Sequence, residues 1–98
     1  MYKAIILPLA QLDIKTAAHW YNKQQKGLGK RFSSQIREKV RFTQLHPNAI
    51  FTRYDGVKTA VVDVFPFMIH FTVDKPNKLI IVSAVFHTSL NPEKWKKR

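Results

Sequence analysis

The side chains best suited to acid–base chemistry in this sequence are four histidines, His19, His46, His70 and His87. His87 is the strongest candidate, because it follows the apolar run "LIIVSAVF" and should lie where a buried strand reaches solvent. An exposed imidazole changes its protonation near neutral pH, so it can donate or accept a proton. A histidine at that position can equally cap the strand end through backbone hydrogen bonds, and the sequence leaves both roles open. His70 alternates with apolar neighbours, which favours a structural role, and if those neighbours face the helices His70 should face the opposite side of the sheet.

Other chemistries find little support. The absence of cysteine excludes disulfides and cysteine-ligated zinc, and the histidines show no metal-ligand spacing. Only six residues are aspartate or glutamate, which argues against a hydrolase with paired carboxylates. The segment "GLGKRF" lacks the spacing of a phosphate-binding loop and joins two predicted helices. We therefore predict no metal and no cofactor.

Charge is the most pronounced property of the composition. Seventeen lysine and arginine residues against six acidic ones give a formal net charge of +11. Residues 1–50 carry nine basic and two acidic groups, and residues 51–98 carry eight and four, so the excess is spread along the chain. A compact domain this basic repels itself, which indicates an anionic partner such as nucleic acid, an acidic protein or a membrane surface.

The C-terminal segment "NPEKWKKR" combines Trp95 with a cluster of cations. Pro92 is suited to the first position of a short helical turn. Trp95 could fold back on the core, stack on a base or seat an acidic peptide, and the sequence does not separate these roles.

The length of 98 residues and the hydrophobic fraction of 45% predict one globular domain spanning residues 1–98. No apolar run approaches the length of a membrane span, and "MYKAIILPLA" reads as a first strand and not as a signal peptide. We therefore expect a cytoplasmic protein that does not insert into a membrane.

These candidate residues must be positioned by two helices and several strands. A short strand is predicted at 3–9, and helical spacing of apolar residues predicts a first helix at about 10–25. Gly27 and Gly29 should end that helix and allow a tight turn into a second helix, which ends before Pro47. A short glycine loop between two helices predicts an antiparallel helical hairpin.

Beyond the second helix the sequence becomes rich in valine, isoleucine, phenylalanine and threonine. Asp55-Gly56, Pro66 and "DKPNK" separate the predicted strands "IFTRY", "VKTAVVDVF", "PFMIHFTV" and "KLIIVSAVF". The order β-α-α-β-β-β(-β) predicts an α+β fold, in which an antiparallel sheet carries the N-terminal helical hairpin on one face.

Three segments together resemble the RelE/ParE toxin superfamily. "DIKTAAHWYNKQQKGLGKRFSSQI" resembles the family's helical hairpin, including its "GLG..F" turn. "HPNAIFTRYDGVKTAVVDVFPFMIHFTVD" looks like the family's central strands, and "IIVSAVFHTSLNPEKWKKR" is similar to its closing "AV.H" and basic tail. The likeness covers nearly the whole chain in the right order.

This resemblance implies a toxin of a type II toxin–antitoxin pair. It also implies a cognate acidic antitoxin that wraps the toxin, and with it a toxin–antitoxin hetero-oligomer. ParE-like members, to which the sequence leans, poison DNA gyrase and support plasmid stabilisation. RelE-like members cut mRNA on the ribosome. A third alternative is an inactive relative that serves as co-repressor with its antitoxin.

The sequence is closer to ParE-like members because it departs from the residue pattern of the ribosome-dependent nucleases. Met68 stands where ribosome-dependent nucleases such as the YoeB branch typically have arginine, and His87-Thr88 stands where that branch has His-Tyr. If the chain does cleave RNA, the resemblance assigns catalysis to His87, Lys58 and Arg53.

The chain also departs from the ParE pattern. Leu90 and the pair Val62-Asp63 occupy positions where that family often has arginine, whereas Lys58 replaces the usual arginine conservatively. The predicted surface for a target or an antitoxin comprises Trp20, Arg31, Arg37, Arg41, Lys58, His70, His87, Trp95, Lys96, Lys97 and Arg98.

Overall fold

The computed structural model describes residues 1–97, so the predicted contact residue Arg98 lies outside the described residues. The elements in chain order are β1 (Lys3–Ile6), α1 (Pro8–Gln24), α2 (Leu28–Leu45), β2 (Thr52–Tyr54), β3 (Val57–Val61), β4 (Phe67–Asp74), β5 (Leu79–His87) and a 3₁₀ helix (Pro92–Lys97). This is the α+β order predicted from the sequence.

The boundary between β1 and α1 was predicted wrongly. The strand β1 stops at Ile6, and Pro8 opens α1 instead of ending the strand. Proline suits the first helical position, because its fixed φ matches the helix and its missing N–H has no partner there.

The five strands form one sheet in the order β1-β5-β4-β3-β2. The pairs from β2 to β5 are antiparallel, as predicted, but β1 pairs with β5 in parallel, which makes the sheet mixed. The difference arises because β1 is joined to the rest of the sheet through the helical hairpin and not through a strand-to-strand turn, so nothing local requires it to pair antiparallel.

The helical hairpin packs on one face of this sheet, as predicted. Gly27 lies in the turn between the helices as predicted, but Gly29, which was predicted to lie there too, belongs to the first turn of α2. Gly27 adopts a left-handed backbone with φ of 88°, which costs glycine little. Gly29 has no room for a side chain, because a Cβ would lie 2.8 Å from Asn22 Cγ and 2.9 Å from the Ala18 carbonyl carbon. The two helices therefore approach closely at Gly29, where the backbone N–H also donates to Asn22 Oδ1 at 2.8 Å.

The core lies between the hairpin and the sheet. Phe32 and Ile36 of α2 are buried there with Ile69 and Phe71 of β4 and with Ile80 of β5. The alternation along β4 predicted that His70 would face the opposite side of the sheet, and His70 indeed contacts Phe86 and Trp95 there, outside the helix-facing core.

A β-bulge in β5 was not predicted. The pairing runs from His70–Ala84 directly to Phe71–Val82, which leaves Ser83 as an extra residue. The bulge shifts the alternation by one residue. Val82 and Val85 therefore both belong to the core, although they are three residues apart.

The Asp55-Gly56 hairpin is confirmed. Asp55 and Gly56 have φ of 43° and 76°, the left-handed pair that a type I′ turn needs. The turn joins β2 to β3 at the sheet edge opposite β1.

Candidate functional site

An open apolar groove lies between α1 and the neighbouring ends of β4 and β5. Its volume is about 640 Å³. Its lining includes Leu12, Thr16, Trp20, Phe67, Val85 and His87. The helix contributes one side of the groove through residues spaced four apart, and the antiparallel pair Phe67–His87 contributes the other. Two residues predicted to contact a partner, Trp20 and His87, are brought together here.

Trp20 is 57% exposed, which is high for the largest apolar side chain. Its ring packs edge-on against Tyr21, with ring centroids 5.1 Å apart. Tyr21 in turn contacts Phe32 and Phe65 of the core, and desolvation by burial raises its pKa above the ordinary 10.0. Trp20 thus packs against the core through Tyr21, and the rest of its ring is exposed to solvent.

His87 ends β5 and is exposed. Its Nδ1 lies 3.0 Å from the backbone nitrogen of Ser89 and 2.7 Å from Ser89 Oγ. Because a backbone N–H can only donate, Nδ1 must accept, and the proton of the neutral ring is on Nε2. The ring also stands edge-on to Phe67 at 5.2 Å. His87 therefore both caps the turn after β5 and offers an N–H donor.

Asp13 anchors the helix beside the groove, and our sequence reasoning did not select it as a site residue. Its Oδ2 accepts a hydrogen bond of 2.9 Å from the backbone N–H of Val85. A signal was present in the sequence, because Asp13 and Glu38 are the only carboxylates in the two helices. A carboxylate within an otherwise basic hairpin indicates a specific contact.

The three residues assigned to RNA cleavage are not brought together. Lys58 pairs with Phe71 and His87 with Phe67, so four residues of β4, about 13 Å at 3.3 Å per residue, separate their backbones. The Lys58 ammonium donates to the Pro47 carbonyl at 3.1 Å.

Arg53 lies on the other face of the sheet. Its guanidinium stacks 5.1 Å from the Trp95 ring centroid, and it bonds to Thr59 Oγ1 at 3.4 Å. Thr59 pairs with His70, which faces away from the helices. Arg53 and His87 are therefore on opposite faces.

Two predicted contact residues, His70 and Trp95, are buried on that second face. A hydrogen bond of 2.8 Å joins Tyr54 Oη to His70 Nδ1, and the Trp95 ring covers both, at 5.3 Å from Tyr54 and 4.9 Å from His70. Trp95 is 6% exposed and His70 is fully buried. Of the three roles that the sequence left open for Trp95, the structure displays the fold-back onto the protein.

The remaining predicted residues are exposed cations. Lys96 forms an ion pair of 4.0 Å with Asp55, and Lys97 is exposed beside it. Arg31, Arg37 and Arg41 are exposed on α2, and Arg37 and Arg41 line a shallow depression together with Ile6 of β1.

Within residues 1–97, no group of three or more histidine or acidic side chains could hold a metal ion. No helix in this part of the chain is long and apolar enough to cross a membrane.

Solved structures of low sequence identity resemble the chain over most of its length. A chain of the chromosomal ParDE TA system from P. aeruginosa matches with a TM-score of 0.78 at 20% identity, covering 91% of this chain and 98% of that one. The isolated E. coli RelE toxin matches with a TM-score of 0.67 at 10% identity, covering 99% and 95%. The RelBE2 toxin–antitoxin complex from Mycobacterium tuberculosis contains a chain with a TM-score of 0.60 at 11% identity, covering 88% and 96%.

No family model matches the sequence, and no curated protein matches it. The structural likeness nevertheless covers 91% and 99% of this chain in the first two of these structures. The chain therefore has the fold of these ParE and RelE toxin structures, which is the fold predicted from the sequence.

Proposed function

We propose that this chain is the toxin of a type II toxin–antitoxin pair, that it inhibits DNA gyrase in the manner of ParE-like toxins, and that a cognate acidic antitoxin neutralises it. The observation that carries the proposal is the match to the ParDE structure, which covers 98% of that chain with a TM-score of 0.78. The net charge of +11 supports an acidic partner.

The arrangement of basic side chains supports a toxin that acts by binding. RNA cleavage needs a base, an acid and cations around one phosphate. Here Arg53 lies on the face opposite His87, and Lys58 is bonded to Pro47 at a distance along the sheet. Met68, at the position of the nuclease arginine, is 3% exposed and contributes no charge.

We further propose that the groove beside Trp20 is the contact surface for a protein partner. Leu12 and Trp20 are 56% and 57% exposed, and both line the groove with His87. Exposed aromatic anchors beside an apolar depression are typical of the residues that dominate binding energy at protein interfaces. An apolar side chain of the partner would displace water from the groove, and the Nε2–H of His87 would donate to a partner carbonyl or carboxylate.

The test begins in bacteria that express the chain without an antitoxin. Incorporation of thymidine and of amino acids is followed in parallel from the moment of induction, and the purified chain is then added to a gyrase supercoiling assay. Gyrase inhibition predicts that thymidine incorporation fails first and that supercoiling stops. If amino-acid incorporation collapses first and supercoiling continues, the chain is an mRNA endonuclease. If neither changes, it is a non-toxic relative that binds an antitoxin.

Two variants sharpen the result. Trp20→Ala should weaken inhibition at least tenfold if the groove binds the partner, because hot-spot aromatic truncations cost about 2 kcal/mol or more. Phe51→Ala is its matched control, since Phe51 is 90% exposed and does not line the groove. His87→Gln retains an N–H donor but cannot take up a proton, so it should preserve most gyrase inhibition and abolish any RNA cleavage.

A further inference from the structure

The solvent-exposed surface of the helical hairpin carries many basic side chains. We call this surface the basic face; its cations are Lys15, Lys23, Lys26, Lys30, Arg31, Arg37 and Arg41. All seven are exposed. Residues 14–37 contain six of them and no aspartate or glutamate. The exposed Glu38 follows Arg37 on α2, so seven cations stand against one carboxylate and the face presents a net positive field to solvent.

None of these cations forms an ion pair with a carboxylate within residues 1–97, although the exposed Glu38 adjoins Arg37 on α2. The ion pairs formed within residues 1–97 are Lys39–Asp63 and Lys96–Asp55, and neither involves the basic face. Seven exposed cations without internal partners leave the face available to an external polyanion.

The position of two of these cations opposes local stability. Lys30 and Arg31 lie in the first turn of α2, which contains no acidic residue. The amino end of a helix carries partial positive charge, so cations are unfavourable there. A local choice that works against the helix indicates selection for something other than folding.

The spacing of the cations gives the face a defined length. Lys15 and Lys23 are eight residues apart on α1, and Lys30, Arg37 and Arg41 follow one another on one side of α2. The span from Lys30 to Arg41 is about 16 Å at 1.5 Å per residue. Duplex DNA displays one negative charge per roughly 1.7 Å of its axis, so about nine phosphates fall within that length.

The basic face lacks the apolar component that a protein partner would need. The exposed apolar side chains of the hairpin lie elsewhere, with Leu12 and Trp20 at the groove and Phe42 and Leu45 at the end of α2. The core of a protein–protein interface is apolar and poor in charge. Nucleic-acid backbones, by contrast, are bound through lysine, arginine and polar side chains.

We propose that the basic face binds the phosphate backbone of a nucleic-acid duplex without reading its bases. This site is separate from the groove and goes beyond the proposed inhibition of a protein target. It would give the chain an affinity for nucleic acid that depends on salt and not on sequence.

The experiment measures fluorescence anisotropy of the full chain with short labelled duplexes of DNA and of RNA. The test variant combines Lys30→Ala, Arg31→Ala and Arg37→Ala. The control variant combines Lys3→Ala, Lys75→Ala and Lys94→Ala, which removes the same charge from exposed positions outside the hairpin. Alanine is the best helix former, so the test variant keeps its helix, and its thermal unfolding verifies this.

Three lost phosphate contacts should lower the slope of log affinity against log salt by about 2.7. Between about 50 and 200 mM salt the wild-type chain should then lose about 40-fold more affinity than the test variant. The control variant should keep the wild-type slope. If the test variant does not fold, Lys23→Ala with Lys26→Ala at the end of α1 and in the turn should lower the slope by about 1.8.

The two duplexes distinguish the source of the phosphate. Binding of either duplex with the expected dependence on salt supports the proposal. Tighter binding of one duplex than of the other identifies DNA or RNA as the ligand. Equal salt slopes for the test variant and the wild type would overturn the proposal. An equal decrease of the slope in the control variant would also overturn it, because binding would then depend only on the net charge of the chain. Binding of polyglutamate but of neither duplex would assign the face to an acidic protein instead.

Discussion

Replacing Gly29 with alanine should separate the two helices that carry the groove and the basic face. The added Cβ would overlap the carbonyl oxygen of Ala18 and would lie 2.8 Å from Asn22 Cγ. Ordinary contacts between carbon atoms are about 3.5–4.0 Å. Because the nearest obstacle is backbone, it cannot rotate away, and α1 and α2 must move apart.

Three contributions determine how far Gly29→Ala lowers the free energy of unfolding. Overpacking of a well-packed contact costs about 2–3 kcal/mol when backbone must shift. The shift also weakens the hydrogen bond from Gly29 N–H to Asn22 Oδ1, which contributes about 1 kcal/mol. Alanine returns up to about 1 kcal/mol through its higher helix propensity. The free energy of unfolding should therefore fall by about 2 kcal/mol, and Tm by about 8–16 °C for a domain of this size.

The assay is urea and thermal unfolding followed by circular dichroism, with Gly27→Ala as the matched control. Gly27 has open space around it, so alanine there costs only the left-handed backbone, about 1 kcal/mol. The double variant Gly29→Ala with Asn22→Ala should not regain stability, since the overlap with Ala18 remains. A Gly29→Ala chain as stable as the wild type would refute the close helix approach.

Two further substitutions test the contacts that hold the sheet. Trp95→Ala should lower the free energy of unfolding by about 3 kcal/mol in urea titrations, because it empties the space over Tyr54, and the exposed Phe51→Ala should change it little. Asp13→Ala should cost about 2 kcal/mol by leaving the Val85 N–H without its charge-assisted bond. An Asp13→Ala chain with unchanged stability would show that this bond contributes nothing.

Most of the helices, strands and turns could be predicted from short stretches of the sequence. The spacing of glycines and apolar residues located the hairpin, and the Asp55-Gly56 pair located the β2–β3 turn, which has the expected left-handed angles. Alternation along β4 placed His70 away from the helices. These features depend on neighbours a few residues apart, which is the range that periodicity reports.

Less of the candidate site could be predicted from the sequence. His87 was selected because it follows an apolar strand, and Trp20 because it lies in the hairpin motif, but nothing in the sequence places them in one groove. Asp13 was missed because its partner, Val85, is 72 residues away. Arg53 and His87 could be grouped as catalytic residues only while the faces of their strands were unknown.

By itself, the sequence determined the identity and order of the helices and strands, the strong positive charge and the superfamily resemblance, because each depends on composition or on local spacing. Only the tertiary structure decided that β1 lies beside β5, that the Ser83 bulge shifts the alternation in β5, and that Trp95 closes over His70. Those outcomes depend on which distant surfaces pack best together, and packing is a property of the whole chain that no short segment encodes.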